Sequence, residues 1–407
     1  MNRQTSRIAA LFAASLGAAS APAAETLDEA LSASEWGLSF RYRLELVDED
    51  GFDENAEAST LLTRLNLKTG SYRGWQGFVE LTDVRAIGLD DYNAGAGSTP
   101  DRVRFPVVAD PEDTRLNQAW IGWMPSESVN LRAGRQRIKL DQDRFVGNVG
   151  WRQNEQTFDG ASLEWNKQRW KLFYSYIGHA NRIFDSNVPA GDHDHDSHLL
   201  HGDLRIDKAH TLTAYVYEIE DQDQQALSNR SVGLRYTGAV DIGAGRSLNL
   251  LTEVAHQTET GDAPVDFDAG YLHLRAELAM DPAFRPVAGF ERLEGSRAPG
   301  QAFRTPLATL HAFNGWADRF LTTPDRGLDD FYIGLSGKRG RYGWTAVAHR
   351  FWNETGATRL GDELDASVSI RLHRTSTLLL KLAHFESSDA QVVDATKFWL
   401  MATFDLP

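Results

Sequence analysis

Cysteine is missing from all 407 residues, which excludes disulfide, thiol and thiolate-metal chemistry. Long apolar runs are missing too: beyond the first 25 positions none reaches the roughly 18 residues that a membrane-crossing helix needs. Basic residues are in deficit, with 42 Lys and Arg against 57 Asp and Glu for a net charge of -15. That balance argues against nucleic acid as a partner, because such binders carry a basic stripe. Glycine, at 34 residues, is too sparse for collagen, and heptads are absent. A disordered chain is excluded in turn by its 11 Trp, 11 Tyr and 20 Phe. No G-x-S-x-G, H-E-x-x-H, Walker-type or G-x-G-x-x-G motif occurs, so the sequence reads as a non-enzyme without a cofactor.

What is present begins with Arg3 and Arg7, the uncharged stretch from Ile8 to Ala19, and Ala21-Pro22-Ala23. This basic, apolar, small-residue order is that of a secretory signal. Residues 1–24 are expected to be removed and 25–407 to form one domain. Cleavage takes two of the 42 basic residues and no acid, leaving 40 against 57, or -17. An exported chain without cysteine fits a Gram-negative envelope.

The remainder alternates apolar and polar residues over segments of about ten, the pattern of a strand with two different faces. Leu364, Ala366, Val368, Ile370 and Leu372 oppose Glu363, Asp365, Ser367, Ser369 and Arg371; Leu38, Phe40, Tyr42 and Leu44 oppose Ser39, Arg41, Arg43 and Glu45. Strands are expected to begin near residues 37, 58, 74, 114, 128, 157, 168, 198, 210, 230, 246, 267, 283, 329, 342, 361, 376 and 395. That is about eighteen, an even number, with short links such as Asp207 to His210 alternating with long ones such as Val84 to Asp113 and Glu294 to Asp329. The fold class expected is all-β: a transmembrane antiparallel barrel of about eighteen strands, with long loops partly folded into the lumen. A soluble β-sandwich or β-helix is the competitor. Aromatics near strand ends, including Trp36, Trp75, Trp120, Trp123, Trp170, Tyr271, Trp344 and Phe404, favour a membrane girdle.

In such a barrel the apolar face meets lipid and the polar face lines a wet lumen. Parity then gives a pore lining that includes Arg41, Arg43, Arg64, Arg132, Arg235, Arg275 and Arg371, with Glu45 and Glu277 among the facing carboxylates. Pairing alone would stabilise such a wall, whereas unpaired arginines would favour anionic solutes. Arg135 and Arg137 share the apolar phase of Val129, Leu131 and Ala133. Either a bulge near Gly134 turns them inward, which is the expectation, or they sit beyond the membrane edge.

The stretch Gly134-Arg135-Gln136-Arg137-Ile138, followed by Asp143 to Gly160 (DRFVGNVGWRQNEQTFDG), resembles the centre of the alginate-export family of outer-membrane barrels. A second block, Phe313 to Phe320 followed by Gly327 to Tyr332, resembles that family's late loop. The resemblance implies an eighteen-stranded barrel that passes a uronate polymer or another small solute through an arginine-lined constriction. Arg135, Arg137, Arg144 and Arg152 either touch solute there or anchor a loop to the wall.

Asp192 to His198 packs three carboxylates and three imidazoles into seven residues. Its spacing lacks the turn glycine and terminal Glu of a calcium loop, so a solvated outer loop is the expectation and no metal is assigned. The implied partners are outer-membrane lipid and lipopolysaccharide, the barrel-assembly machinery, and an anionic solute. A barrel-embedded hydrolase and a plugged adhesin remain the alternatives.

Overall fold

A computed structural model describes residues 24–406, so the signal segment up to Ala23 lies outside the described residues. Among them are eighteen strands. The first six are β1 (Glu35–Glu49), β2 (Ala56–Lys68), β3 (Trp75–Asp91), β4 (Asp113–Ser126), β5 (Val129–Gln136) and β6 (Thr157–Lys167). Next come β7 (Trp170–Asn181), β8 (Asp192–Arg205), β9 (His210–Ile219), β10 (Asn229–Gly243), β11 (Arg246–Thr258) and β12 (Asp268–Ala279). The last are β13 (Arg285–Leu293), β14 (Leu328–Arg339), β15 (Tyr342–Trp352), β16 (Arg359–His373), β17 (Ser376–Ser387) and β18 (Ala395–Leu406). Each pairs antiparallel with its chain neighbours, and β1 pairs with β18 from Leu38↔Leu406 to Glu49↔Ala395, which closes the sheet into a barrel. Closure leaves no strand edge unpaired, the condition for a sheet to sit in lipid.

The pleat places Leu234, Val254, Leu274, Ile333 and Leu364 on the outer face, where all are exposed, while Glu253, His273, Asp330 and Glu363 point inward and are buried. This is the inverse of a soluble protein and removes the sandwich alternative. Two-residue links such as 127–128, 244–245 and 340–341 mark one end. Ala244 and Gly245 both have positive φ, 54° and 71°, which suits the twist of a tight hairpin. The opposite end carries the long links, including 92–112, 137–156 and 294–327. Trp36, Trp75, Trp123, Trp170, Tyr342 and Phe404 are exposed on the outer face at the tight-turn end, forming a girdle there.

Three expectations change. The Asp192 to His198 run is not a loop; it opens β8, because Asn181↔Asp192 and Ala180↔His193 continue the ladder of β7. Tyr271 and Trp120 do not belong to the girdle: Tyr271 is buried inside, and Trp120 alternates with the outward Ile121 and Trp123. No register shift occurs in β5 at Gly134, although its φ is +116° and a Cβ there would meet the Ala119 carbonyl oxygen at 2.3 Å. One short helix, α1 (Leu27–Ser32), precedes the barrel, held by a capping box in which Thr26 and Glu29 satisfy each other's backbone N–H.

Candidate transport lumen

Two long outer loops, 137–156 and 294–327, turn into the barrel instead of standing above it. Their apolar residues Phe145, Val146, Phe303 and Leu307 pack on Tyr215, Tyr217 and Tyr271, which point inward from β9 and β12. Gly147 N–H donates to the Leu307 carbonyl at 2.8 Å, and Thr309 N–H to that of Asp143 at 2.9 Å, so the two loops also bind each other. Inward side chains of the outer half are therefore buried. Those nearer the tight turns open to solvent: along β16, Glu363 and Asp365 are buried, Ser367 and Ser369 half-buried, and Arg371 exposed. The lumen has a packed outer half and an open periplasmic half.

The charges of the packed half are almost all engaged. Arg41 donates to Gln153 Oε1 and to the Gly150 carbonyl, both at 2.8 Å. Arg43 pairs with Asp110 at 2.8 Å, and its guanidinium lies 4.5 Å from the Trp151 ring centre. Arg64 and Arg137 converge on Glu80 and Glu155. Burial alone would push the Glu155 carboxyl up, but Arg137, Arg64 and a hydrogen bond from Asn117 hold it well below the usual range. Arg144 pairs with Glu291 at 2.6 Å.

A second hub joins both loops to the wall. Arg152 reaches Glu45 of β1 at 3.2 Å and Asp318 of the other loop at 2.9 Å. Asp318 also takes Lys397 at 3.1 Å and His311 Nδ1 at 2.7 Å. Burial opposes the charge on Asp318, yet His311, Lys397 and Arg152 hold its carboxyl well below the usual range. Burial presses His311 well below the ordinary imidazole value, against the pull of Asp318, so the ring is neutral. Its Nε2 faces Lys381 Nζ at 2.6 Å, and that ammonium lies 4.1 Å from the Trp151 ring centre and 3.8 Å from that of Trp316.

Of the residues the sequence singled out, Arg41, Arg43, Arg64, Arg137, Arg152 and Glu45 thus form one connected set fastening loops to wall. Arg137 enters the lumen because the chain leaves the sheet after Gln136, not through a bulge. Arg135 stays on the outward phase, where it grips Asp159 bidentately at 2.7 and 2.8 Å and donates to the carbonyl of the exposed Leu116. It lies on the outer surface of the barrel, contrary to the expected inward turn. Arg132, Arg235, Arg275, Arg371 and Glu277 face the lumen further down. Arg235 pairs with Asp141 and Glu253, and Arg275 with Glu277 at 2.6 Å. Among the described residues, Lys68, Arg132, Arg205 and Arg371 have no carboxylate within 4 Å; all four are inward by parity in the open half. Arg132 lies 4.1 Å from the ring centre of Trp120, which stacks on Phe78 at 5.3 Å. Sequence parity alone missed Asp110, Glu155, Asp318, His311 and Lys381. Glu155 and Asp318 do fall inside the two motif blocks, which is the one signal that could have found them.

A closed sheet with an apolar exterior and a charged, partly open interior defines an outer-membrane β-barrel channel. The chain belongs to the alginate export family, whose sequence profile matches residues 33–277. The Phe313 to Phe320 block lies beyond that span. Family and barrel together make this a passive outer-membrane channel for small solutes, in a family of transport proteins rather than enzymes. Among solved structures it is similar to Pseudomonas aeruginosa OpdL, with 14% identity, a TM-score of 0.69, and coverage of 92% of this chain and 99% of that one. P. aeruginosa OpdO gives 16%, 0.70, 93% and 98%, and Acinetobacter baumannii OccAB4 gives 9%, 0.72, 92% and 98%. At such identities the likeness is one of fold. None of the curated protein sequences matches the chain.

Proposed function

We propose that the channel passes a small anionic, hydroxyl-rich solute, of which an acidic sugar is the chemical type. The observation that carries this reading is the placement of cations without carboxylate partners. Lys68, Arg132, Arg205 and Arg371 share the open half, whereas the arginines of the packed half are spent on holding loops. A guanidinium over the Trp120 face offers a carboxylate its charge and a sugar ring its apolar side. Nearby paired sites such as Arg275–Glu277 keep the potential moderate, so that a bound anion can leave. No covalent step is required, and the chain acts without catalysis. Export through a signal segment of residues 1–24, contact with lipopolysaccharide and delivery by the barrel-assembly machinery complete the proposal.

Reversal potentials across a salt gradient in planar bilayers test it. Wild-type channels are expected to prefer anions, and the Lys68→Gln, Arg132→Gln, Arg371→Gln triple variant to lose that preference. An unchanged reversal potential would remove these residues from selectivity. An oligouronate should reduce the current more than a neutral oligosaccharide of equal length.

A further inference from the structure

The Asp192 to His198 run and the outer link 220–228 have no part in the channel described above. Because the run is a strand, its pleat divides it: His193, His195 and Ser197 are buried on the inner face, while Asp194, Asp196 and His198 are exposed on the outer one. The link folds over the inner set and is fixed there by backbone bonds, Asp196 N–H to the Glu220 carbonyl at 3.0 Å and Gln222 N–H to that of Asp194 at 2.8 Å. These bonds carry Asp221 onto the two imidazoles. Its Oδ2 lies 2.7 Å from His193 Nδ1 and 3.8 Å from His195 Nε2. The three donor atoms all fall within 4.8 Å of one another.

The hydrogen bonds around the cluster fix which atoms are free to ligate. Ser197 Oγ accepts the Glu220 N–H at 2.9 Å, donates its own proton to the Glu220 carbonyl at 3.4 Å and lies 3.0 Å from His195 Nδ1, so Nδ1 carries the proton and Nε2 presents its lone pair. That Nε2 belongs to a fully buried side chain and has no hydrogen-bond partner among the described residues. The Asp221 carboxylate is aimed in the same way: its Oδ1 accepts from the N–H groups of Asp223 and Gln224 at 3.1 and 2.7 Å, which leaves Oδ2 to the imidazoles. A buried electron-pair donor turned toward a carboxylate oxygen costs free energy unless a cation satisfies both.

We propose that His193, His195 and Asp221 bind a borderline divalent cation of the zinc class at the outer end of the barrel. Two imidazoles and one carboxylate suit zinc, copper(II) or nickel and do not suit calcium or magnesium, which prefer oxygen donors throughout. The Gln224 side chain sits at the other ring nitrogen of His193, its amide nitrogen 3.3 Å from Nε2, and so steadies the ring from the side away from the cation. The charge of Arg182 acts on Asp221 and His195 and opposes binding, whereas Asp194, Asp223 and Glu220 border the cluster and offset it. Bound metal would clamp the link 220–228 to β8.

Isothermal titration of the detergent-folded full chain with zinc chloride tests this, with calcium chloride alongside. One saturable zinc site per chain is expected, and no saturable calcium heat. His195→Ala and Asp221→Ala should abolish the site. Ser197→Ala, which frees the imidazole and the Glu220 N–H but keeps all three ligands, should weaken it about tenfold, and His198→Ala on the outer face should leave it intact. Heat-modified mobility in detergent gels checks that each variant is folded. Absence of a saturable site in the wild type would overturn the proposal. So would zinc binding that survives His195→Ala but is lost in His198→Ala, which would place the metal on the exposed face.

Discussion

A single arginine shows how position decides a charged group's worth in this lumen. Arg152 is almost fully buried and bonded to Glu45 and Asp318, both themselves buried. Its removal leaves the Glu45 carboxylate in a poorly solvated place without a cation, while Asp318 keeps Lys397 and His311. Arg152→Ala is expected to destabilise the folded barrel by about 3–5 kcal/mol, the cost typical of breaking a buried ion pair. Arg135–Asp159 is also bidentate but lies on the outer surface with each side chain about a third exposed, so Arg135→Ala should cost about 1 kcal/mol or less. Urea unfolding of the detergent-folded variants compares the two; equal losses would contradict the assignment of Arg135 to the outer face. Parity with Val129, Leu131 and Ala133 already sets Arg135 on the outward phase, but it says nothing of Arg152. Both are arginines in one motif block, and only the departure of the chain from the sheet after Gln136 sends the later ones inward.

At the scale of the element, the late loop is held by a device that responds to pH. His311 is buried and neutral between Asp318 and Lys381, with its ionisation held below the ordinary imidazole range. A released loop would expose His311 and restore its usual value near 6.5. The released state then binds more protons than the seated one below about pH 6.5, so acidification favours release. Asp318 acts in the same direction, but as a lowered carboxyl only below about pH 4. Tryptophan fluorescence, which reads Trp151 and Trp316 beside Lys381, is expected to change between pH 7 and 5 in the wild type and to stay flat in His311→Gln. A change that persists in the variant would assign the response elsewhere. The strands themselves were legible from alternation: expected starts near 114, 128, 157, 210, 246, 342, 376 and 395 lie within one or two residues of those observed. The start of β8 was missed, because a run rich in Asp and His looks like solvated loop until a hydrogen-bonded neighbour is present.

For the whole molecule, the division into a packed and an open half sets what the channel can pass. The outer half is filled by loops 137–156 and 294–327, so conductance is limited there while selectivity belongs to the cations below. Replacing residues 310–320 by a short Gly-Ser link removes Phe313, Trp316 and Asp318 together and is expected to raise single-channel conductance several-fold. The sign of ion preference should not change. An unaltered conductance would mean that the route avoids this loop.

The residue order by itself determined the barrel: a period of two repeated about eighteen times, with tight and long links in alternation, admits few closed solutions in lipid. It also determined which side chains share a face, since parity along a strand is a local property. Which charges are spent and which are free was decided only by the tertiary structure. Strand residues find partners in loops more than 100 positions away, as Arg41 meets Gln153 and Glu45 meets Arg152. Such distant pairings follow from how the loops pack inside the closed wall, which no local pattern encodes.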